Sequence, residues 1–303
     1  MSKKNVNFKN KNITKAFSLI ELSIVILIIG ILVAGVTQSS RLVKKFRFIG
    51  AQNATNAAPV LSIKDLAVWY EPISDRSFED TEESDGTPIS QWRDGNYFSS
   101  SMVHLNQSNP NQRPIYREGI INGLPSLKFD GTDDFLVASN SGINGKGLTA
   151  FIVGQRSLYP GNAFQVMLAG MASGYNDDTY CGSFVAFADF GSQVNPGTCL
   201  QWFNSTIVHP GNNVPYIFST VFYGTYNTTY HNGLASVNNY PINTNNNPFI
   251  VDSLRVGCKY STAPAYFYNG YISEVIIYNR ALSNEERKSI ESYLGAKYAI
   301  RVI

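Results

Sequence analysis

Hydrophobic and polar positions divide the chain into three zones. Residues 1–16 are polar and rich in Lys and Asn, whereas residues 17–36 are almost wholly apolar. As a helix those 20 residues reach about 30 Å, the thickness of a bilayer core. Residues 37–58 mix Leu42, Val43, Phe46, Phe48 and Ile49 with Arg41, Lys44, Lys45 and Arg47, a loosely amphipathic pattern that carries the helix on until Pro59. The predicted helix spans 17–58, with 17–36 as its membrane part and 59–65 as a linker. From residue 66 the period changes. Short apolar, β-branched and aromatic runs at 66–70, 149–153, 165–169, 184–190, 216–223, 254–256 and 272–278 predict strands, with Gly, Asn, Asp and Pro between them. Asn232-Gly233 predicts a tight hairpin. Ser283 and Glu286 form a capping box that opens a closing helix through Ile290 and Leu294 toward Lys297. Residues 71–88 and 238–248 are polar and predict surface loops. No period repeats, which argues against a solenoid or propeller. Many short strands in one domain predict a double-sheet jelly roll.

One residue interrupts the apolar zone. A carboxylate inside a membrane segment costs about 2.5–3.5 kcal/mol, so Glu21 needs a reason. It lies one helical turn after Phe17, on the same face. A secretory signal peptide cleaved near Val33-Ala34-Gly35 and an uncleaved anchor both fit the hydropathy, but neither accounts for Glu21. The stretch Lys15-Ala16-Phe17-Ser18-Leu19-Ile20-Glu21 resembles the prepilin motif of type IV pilins and type II secretion pseudopilins. The resemblance implies cleavage between Ala16 and Phe17 by a prepilin peptidase, N-methylation of Phe17, and Glu21 as the fifth mature residue. Ala16 stands where the family more usually has Gly. A Glu21 paired with the Phe17 amine of a neighbouring subunit would turn a costly charge into a specifier of register. The implied partners are the peptidase, other pilin-like subunits and the bacterial inner membrane. The chain would cross that membrane once, N-terminus cytoplasmic, with a head that is periplasmic or, after filament assembly, extracellular.

The remainder carries a second resemblance. Trp92-Arg93-Asp94, then Asn122-Gly123-Leu124-Pro125-Ser126-Leu127-Lys128-Phe129-Asp130-Gly131, then Asn279-Arg280-Ala281-Leu282-Ser283 before the closing helix, are similar to laminin-G-like, concanavalin A-like domains of bacterial surface proteins. The expected fold is mainly β: a long N-terminal α-helix, a concanavalin A-like β-sandwich (jelly roll) over 66–303, and a short C-terminal helix. The resemblance implies a lectin-like head that binds a glycan or a protein, in some relatives with Ca2+. Candidate ligands for Ca2+ are Asp130, Asp133 and Asp134, with Asp177 and Asp178 beside them in kind. Asp-Gly and Asp-Asp pairs are equally the residues of ordinary turns. Trp202 and Tyr175 could stack on sugar rings or pack in the core. No other cofactor is implied.

Composition and candidate chemistry narrow the function. Apolar residues make up 44% and charged residues 15%, too few charges for a disordered tail protein. The formal net charge is +2, yet five lysines of residues 1–16 supply more than all of it, so the body is mildly acidic and a nucleic-acid partner is not expected. Three cysteines show no CxxC spacing. In an exported protein Cys181 and Cys199 could close a loop between two strands, leaving Cys258 alone; three buried thiols is the other reading. Hydrolases on this fold need two carboxylates about 5–9 Å apart on a strand, and no Glu-x-Asp-x-x-Glu run occurs. His104, His209 and His231 have no partner Ser or Cys motif, and no phosphate-binding glycine pattern is present. The sequence therefore points away from an enzyme. It points to a minor pilin or pilin-like subunit with an adhesive head, the alternatives being a type II secretion pseudopilin and an exported glycan-processing enzyme.

Overall fold

The computed structural model describes residues 18–157, 164–172, 184–190, 193–198, 201–202, 210–235, 240–241, 249–259 and 264–303. The N-terminal helix α1 (Leu19–Asn56) has 38 residues, about 57 Å of rise. Its most apolar 18-residue stretch has a mean hydropathy of 2.9, long and apolar enough to cross a membrane. Leu19 to Phe46 present exposed apolar side chains, among them Leu27, Ile31 and Leu42. The chain divides into two compact units, residues 1–46 and residues 47–303. The second unit begins inside α1, whose last turns bury Ala51.

The second unit is a two-sheet sandwich. Its strands are β1 (Leu66–Tyr70), β2 (Gln91–Trp92), β3 (Leu105–Asn106), β4 (Ile115–Ile121), β5 (Leu124–Asp130), β6 (Leu136–Ile143), β7 (Leu148–Arg156), β8 (Phe164–Met171) and β9 (Phe184–Phe190). They continue with β10 (Gln193–Thr198), β11 (Gln201–Trp202), β12 (Pro215–Phe222), β13 (Tyr226–His231), β14 (Leu234–Ala235), β15 (Tyr240–Pro241), β16 (Val251–Val256) and β17 (Asn269–Tyr278), and α2 (Asn284–Tyr298) closes the chain. Among the described residues, one sheet runs β14-β13-β12-β7-β17-β5-β4, with β1 added on β17 and β15 on β13; the other runs β11-β10-β9-β8-β16-β6-β3-β2. The strand pairs are antiparallel.

Burial on both faces explains why the central strands read as unbroken apolar runs. In β7, Ala150 and Ile152 enter the core between the sheets, with Leu168, Phe187, Phe218, Leu254 and Val275. Phe151 and Val153 point the other way, into a second core capped by Ile290 and Leu294 of α2, Ala51 of α1 and Val60. Alternate residues of one strand thus serve two cores, and α2 and the end of α1 cover the outer face of that sheet. The hairpin forms as expected, with Asn232 and Gly233 at φ 48° and 85° and His231 opposite Leu234. Ser283 caps α2 in a complete capping box with Glu286.

The sequence pattern did not mark β2 to β6, β10, β11 or β15, the last of which lies inside the predicted loop 238–248, and the polar stretch 71–88 is not a plain surface loop. It buries Glu71, Ile73, Ser77 and Phe78, with Phe78 packed on Trp92 and edge-on to Tyr116. Counter-charges from remote parts of the chain make that burial tolerable. Lys297 of α2 donates to Glu274 at 2.8 Å and approaches Glu71 at 3.5 Å. Glu274 also accepts from Trp69 Nε1 (2.8 Å), Tyr293 (2.9 Å) and Tyr298 (2.9 Å), so every lone-pair site of a fully buried carboxylate is used. This network joins β1, β17 and α2.

Candidate functional sites

Ala16 and Phe17 lie outside the described residues. Glu21 is described, and its carboxylate accepts the Ser18 amide at 2.8 Å, while the Ser18 hydroxyl accepts the Ile20 amide at 3.3 Å. Ser18-x-x-Glu21 is therefore a helix-start signature of the same kind as Ser283-x-x-Glu286, a signal that the reading of Glu21 as an assembly residue passed over. Within one chain the carboxylate satisfies an otherwise free amide and sits where the helix dipole favours negative charge. A neighbour's amine would therefore have to draw Glu21 away from a local partner, or share it.

In the head, the β5–β6 turn brings Asp130, Asp133 and Asp134 together, with their carboxylate oxygens within 4.8 Å of one another. Asp130 accepts the amides of Thr132 (2.7 Å) and Asp133 (3.3 Å), and Asp134 accepts the amide of Asp130 (3.0 Å). Gly131 between them takes φ 81°. Burial first, and then the Asp130 charge, push the Asp134 carboxyl up to about 7. These three are the described residues that could hold a hard cation; their oxygens are at the same time the acceptors that shape the turn. Asp177, Asp178, Tyr175, His209, Cys181 and Cys199 lie outside the described residues, as does the side chain of Trp202. Cys258 is a free, buried thiol, held up to about 11 by burial.

A third place was not singled out by the sequence. A cleft of about 670 Å3 opens in the second unit. Its lining comes from the end of α1 (Thr55, Asn56), from Leu61, from β1 and the stretch after it (Trp69, Glu71, Ser74, Arg76, Ser77), and from the 93–104 loop (Arg93, Asp94, Gly95, Tyr97, Met102, His104). Asp94 organises that loop by accepting the amides of Trp69 (3.0 Å), Asn96 (2.9 Å) and Val103 (3.2 Å). Burial raises its pKa, against the pull of those three amides. Glu71 likewise accepts the amides of Ile73 (2.8 Å) and Ser74 (2.9 Å) and the Ser77 hydroxyl (3.1 Å). Both carboxylates of the cleft thus spend their oxygens on the fold. His104 Nδ1 accepts the Asp94 amide at 3.1 Å, which leaves the proton of the neutral ring on Nε2.

With that geometry in hand, comparison with known proteins bears separately on the two units. Residues 11–37 match the family model of the prokaryotic N-terminal methylation motif. The chain thus has a prepilin-like amino terminus, joined to a β-sandwich head. No curated protein matches the chain. Among solved structures, Trypanosoma rangeli sialidase with 2,3-difluorosialic acid bound as a covalent intermediate is 16% identical, with a TM-score of 0.51 over 87% of this chain and 39% of the sialidase. Domain 4 of an extracellular arabinanase from Geobacillus stearothermophilus, in complex with arabinotriose, is 14% identical, with a TM-score of 0.48 over 76% of this chain and 98% of that domain. The botulinum neurotoxin serotype D binding domain is 11% identical, with a TM-score of 0.47 over 79% of this chain and 53% of that one. The chain spans less than two-fifths of the length of the sialidases it matches. At these identities the likeness is one of fold, a β-sandwich.

Proposed function

We propose that this chain is a type IV pilin-like subunit, a minor pilin or pseudopilin, whose head is a binding module and not an enzyme. The prepilin peptidase cuts between Ala16 and Phe17, Phe17 is methylated, and the apolar part of α1 holds the subunit in the inner membrane until Glu21 seats it among other pilin-like subunits. The observation that carries this reading is the methylation motif over 11–37, with its single carboxylate, on a membrane-length apolar helix. The size of the head favours a minor or tip subunit, because a bulky head crowds a helical lattice; a type II secretion pseudopilin is the other member of the class. The ligand of the head is a glycan or a protein. The two carboxylates of the cleft are bound up in backbone amides, which supports binding over hydrolysis.

N-terminal sequencing of the mature protein tests the first half: the expected start is methylated Phe17, and a start at Val36 would mean ordinary signal peptidase and overturn it. A tag in the head, imaged on intact cells, separates a surface filament from a periplasmic pseudopilus. A reducing-sugar release assay tests the binding-only reading, which sugar release abolished by replacing one carboxylate would overturn.

A further inference from the structure

We propose that the cleft under the 93–104 loop binds one or two pyranose units of a neutral glycan, with Tyr97 as the stacking platform and Arg76 and the Nε2–H of His104 as hydrogen-bond donors. This rests on the reading of the head as a binding module and names its site and ligand class.

Three observations carry it. The cleft's 670 Å3 falls within the roughly 300–1,000 Å3 usual for small-ligand sites. Two of its lining side chains are exposed apolar groups, Tyr97 at 60% and Met102 at 51%, and Phe98, next to Tyr97 along the loop, is 73% exposed. Tyr97 and Phe98 lean on each other with ring centroids 4.8 Å apart, a preformed aromatic surface at the edge of a cavity. Such a patch is costly to leave in water and marks a contact surface. Finally, the polar groups that the cleft leaves over are matched to hydroxyls. The carboxylates of Glu71 and Asp94 are occupied, whereas the His104 Nε2–H, the exposed Arg76 and the Asn56 amide remain to donate or accept. A pyranose presents an apolar face of C–H groups and a rim of hydroxyls that both donate and accept. It suits an aromatic platform ringed by such groups.

The charges argue for a neutral sugar. Arg93 is tied to Glu79 and to the Phe78 carbonyl. Of the formally charged side chains that line the cleft, two are acidic (Glu71 and Asp94) and two basic (Arg76 and Arg93), so neither an anionic nor a cationic ligand gains from their net charge. Gly95 contributes shape. A Cβ there would come within 3.2 Å of the Trp69 carbonyl and 3.5 Å of its ring, so glycine lets the loop approach Trp69 closely beside the cleft.

The test uses the full chain, purified in a detergent without a sugar headgroup, against an immobilised panel of gluco-, manno-, galacto- and N-acetylglucosamine oligosaccharides. Binding to at least one probe is expected. Tyr97→Ala, Arg76→Ala and His104→Asn should each weaken it roughly tenfold or more. Asn keeps an acceptor for the Asp94 amide, while its shorter side chain has no donor at the position of the imidazole Nε2. Tyr97 and Arg76 are exposed, so those two variants should fold, which a thermal melt checks. Leu234→Ala, on an equally exposed side chain at the hairpin tip, should bind as the parent does. Binding that survives all three cleft variants would overturn the assignment and leave the binding head standing. No binding to any probe would also overturn it. Release of reducing ends from a bound probe, lost in Tyr97→Ala, would instead keep the cleft and overturn the binding-only reading.

Discussion

Replacing Lys297 by Met should destabilise the head more than any surface change. The ammonium is fully buried and donates to Glu274 at 2.8 Å and to the Tyr293 hydroxyl at 3.1 Å. Met fills a similar volume without the charge. Glu71 would keep its two amides and one hydroxyl, so its loss is small. Glu274 would keep Trp69, Tyr293 and Tyr298 but stand as a buried anion with no counter-charge. Removing one partner of a buried pair costs about 3–5 kcal/mol. For a domain of this size each kcal/mol lowers Tm by about 2–4 °C, so a fall on the order of 10 °C is expected. A thermal melt followed by near-UV circular dichroism on the full chain measures it. Because Trp69 both donates to Glu274 and lines the cleft, its near-UV signal should change as well. A Tm within about 2 °C of the parent would refute the reasoning: the network would then be a set of contacts without a net role. The double variant Lys297→Met with Glu274→Gln, which removes both charges, should recover part of the loss.

Other expectations follow from single residues. Glu21→Ala should insert in the membrane at least as well as the parent but fail to enter filaments, measured by the subunit's recovery in sheared surface fractions; normal recovery would sink the assembly role. His231 is half-buried beside Phe218, and that burial lowers its pKa below the usual 6.5. A base with a depressed folded pKa contributes stability that is present above its unfolded value and lost as pH falls through the folded one. This contribution should make the head melt earlier at pH values below about 6.5, opposed by the raised Asp134 carboxyl, so the test is the difference between proteins: His231→Phe should gain Tm relative to the parent as pH falls through that value. The Asp130–Asp134 turn is expected to act as a turn: roughly millimolar Ca2+ should leave Tm unchanged, and a saturable rise abolished by Asp133→Asn would make it a calcium site instead. Ser283→Ala removes the α2 cap and should cost about 1 kcal/mol, read from urea denaturation.

Local patterns were enough for much of this protein. The apolar run and its lone Glu21 announced a membrane-length helix with a reason for one charge, because hydropathy and cost in lipid are properties of the segment itself. The Asn232-Gly233 turn, the Ser283–Glu286 box and strands such as β1 and β9 were legible for the same reason: left-handed φ, caps and β-branched runs act over a few residues. The acidic turn was legible too, since its three aspartates lie within five positions. What folding alone decided is everything that depends on remote partners. β4 carries Arg117 and Glu118 in its middle and Gly119 at φ 71°, so no alternation marks it, and it is a strand because β5 pairs with it. Residues 71–88 look like a solvated acidic loop, yet Glu71 is buried because Lys297, 226 positions away, reaches it. Ser18 and Glu21 formed a legible cap, but only the helix start shows the carboxylate holding an amide that a neighbour's amine would contest. The cleft is the furthest from sequence. Trp69, Arg76, Tyr97 and His104 are unremarkable one by one, and they acquire a common surface only when β17 draws β1 into the sheet and Asp94 folds the 93–104 loop against it. Burial and charge pairing are properties of the assembled sandwich, and no window along the chain contains them.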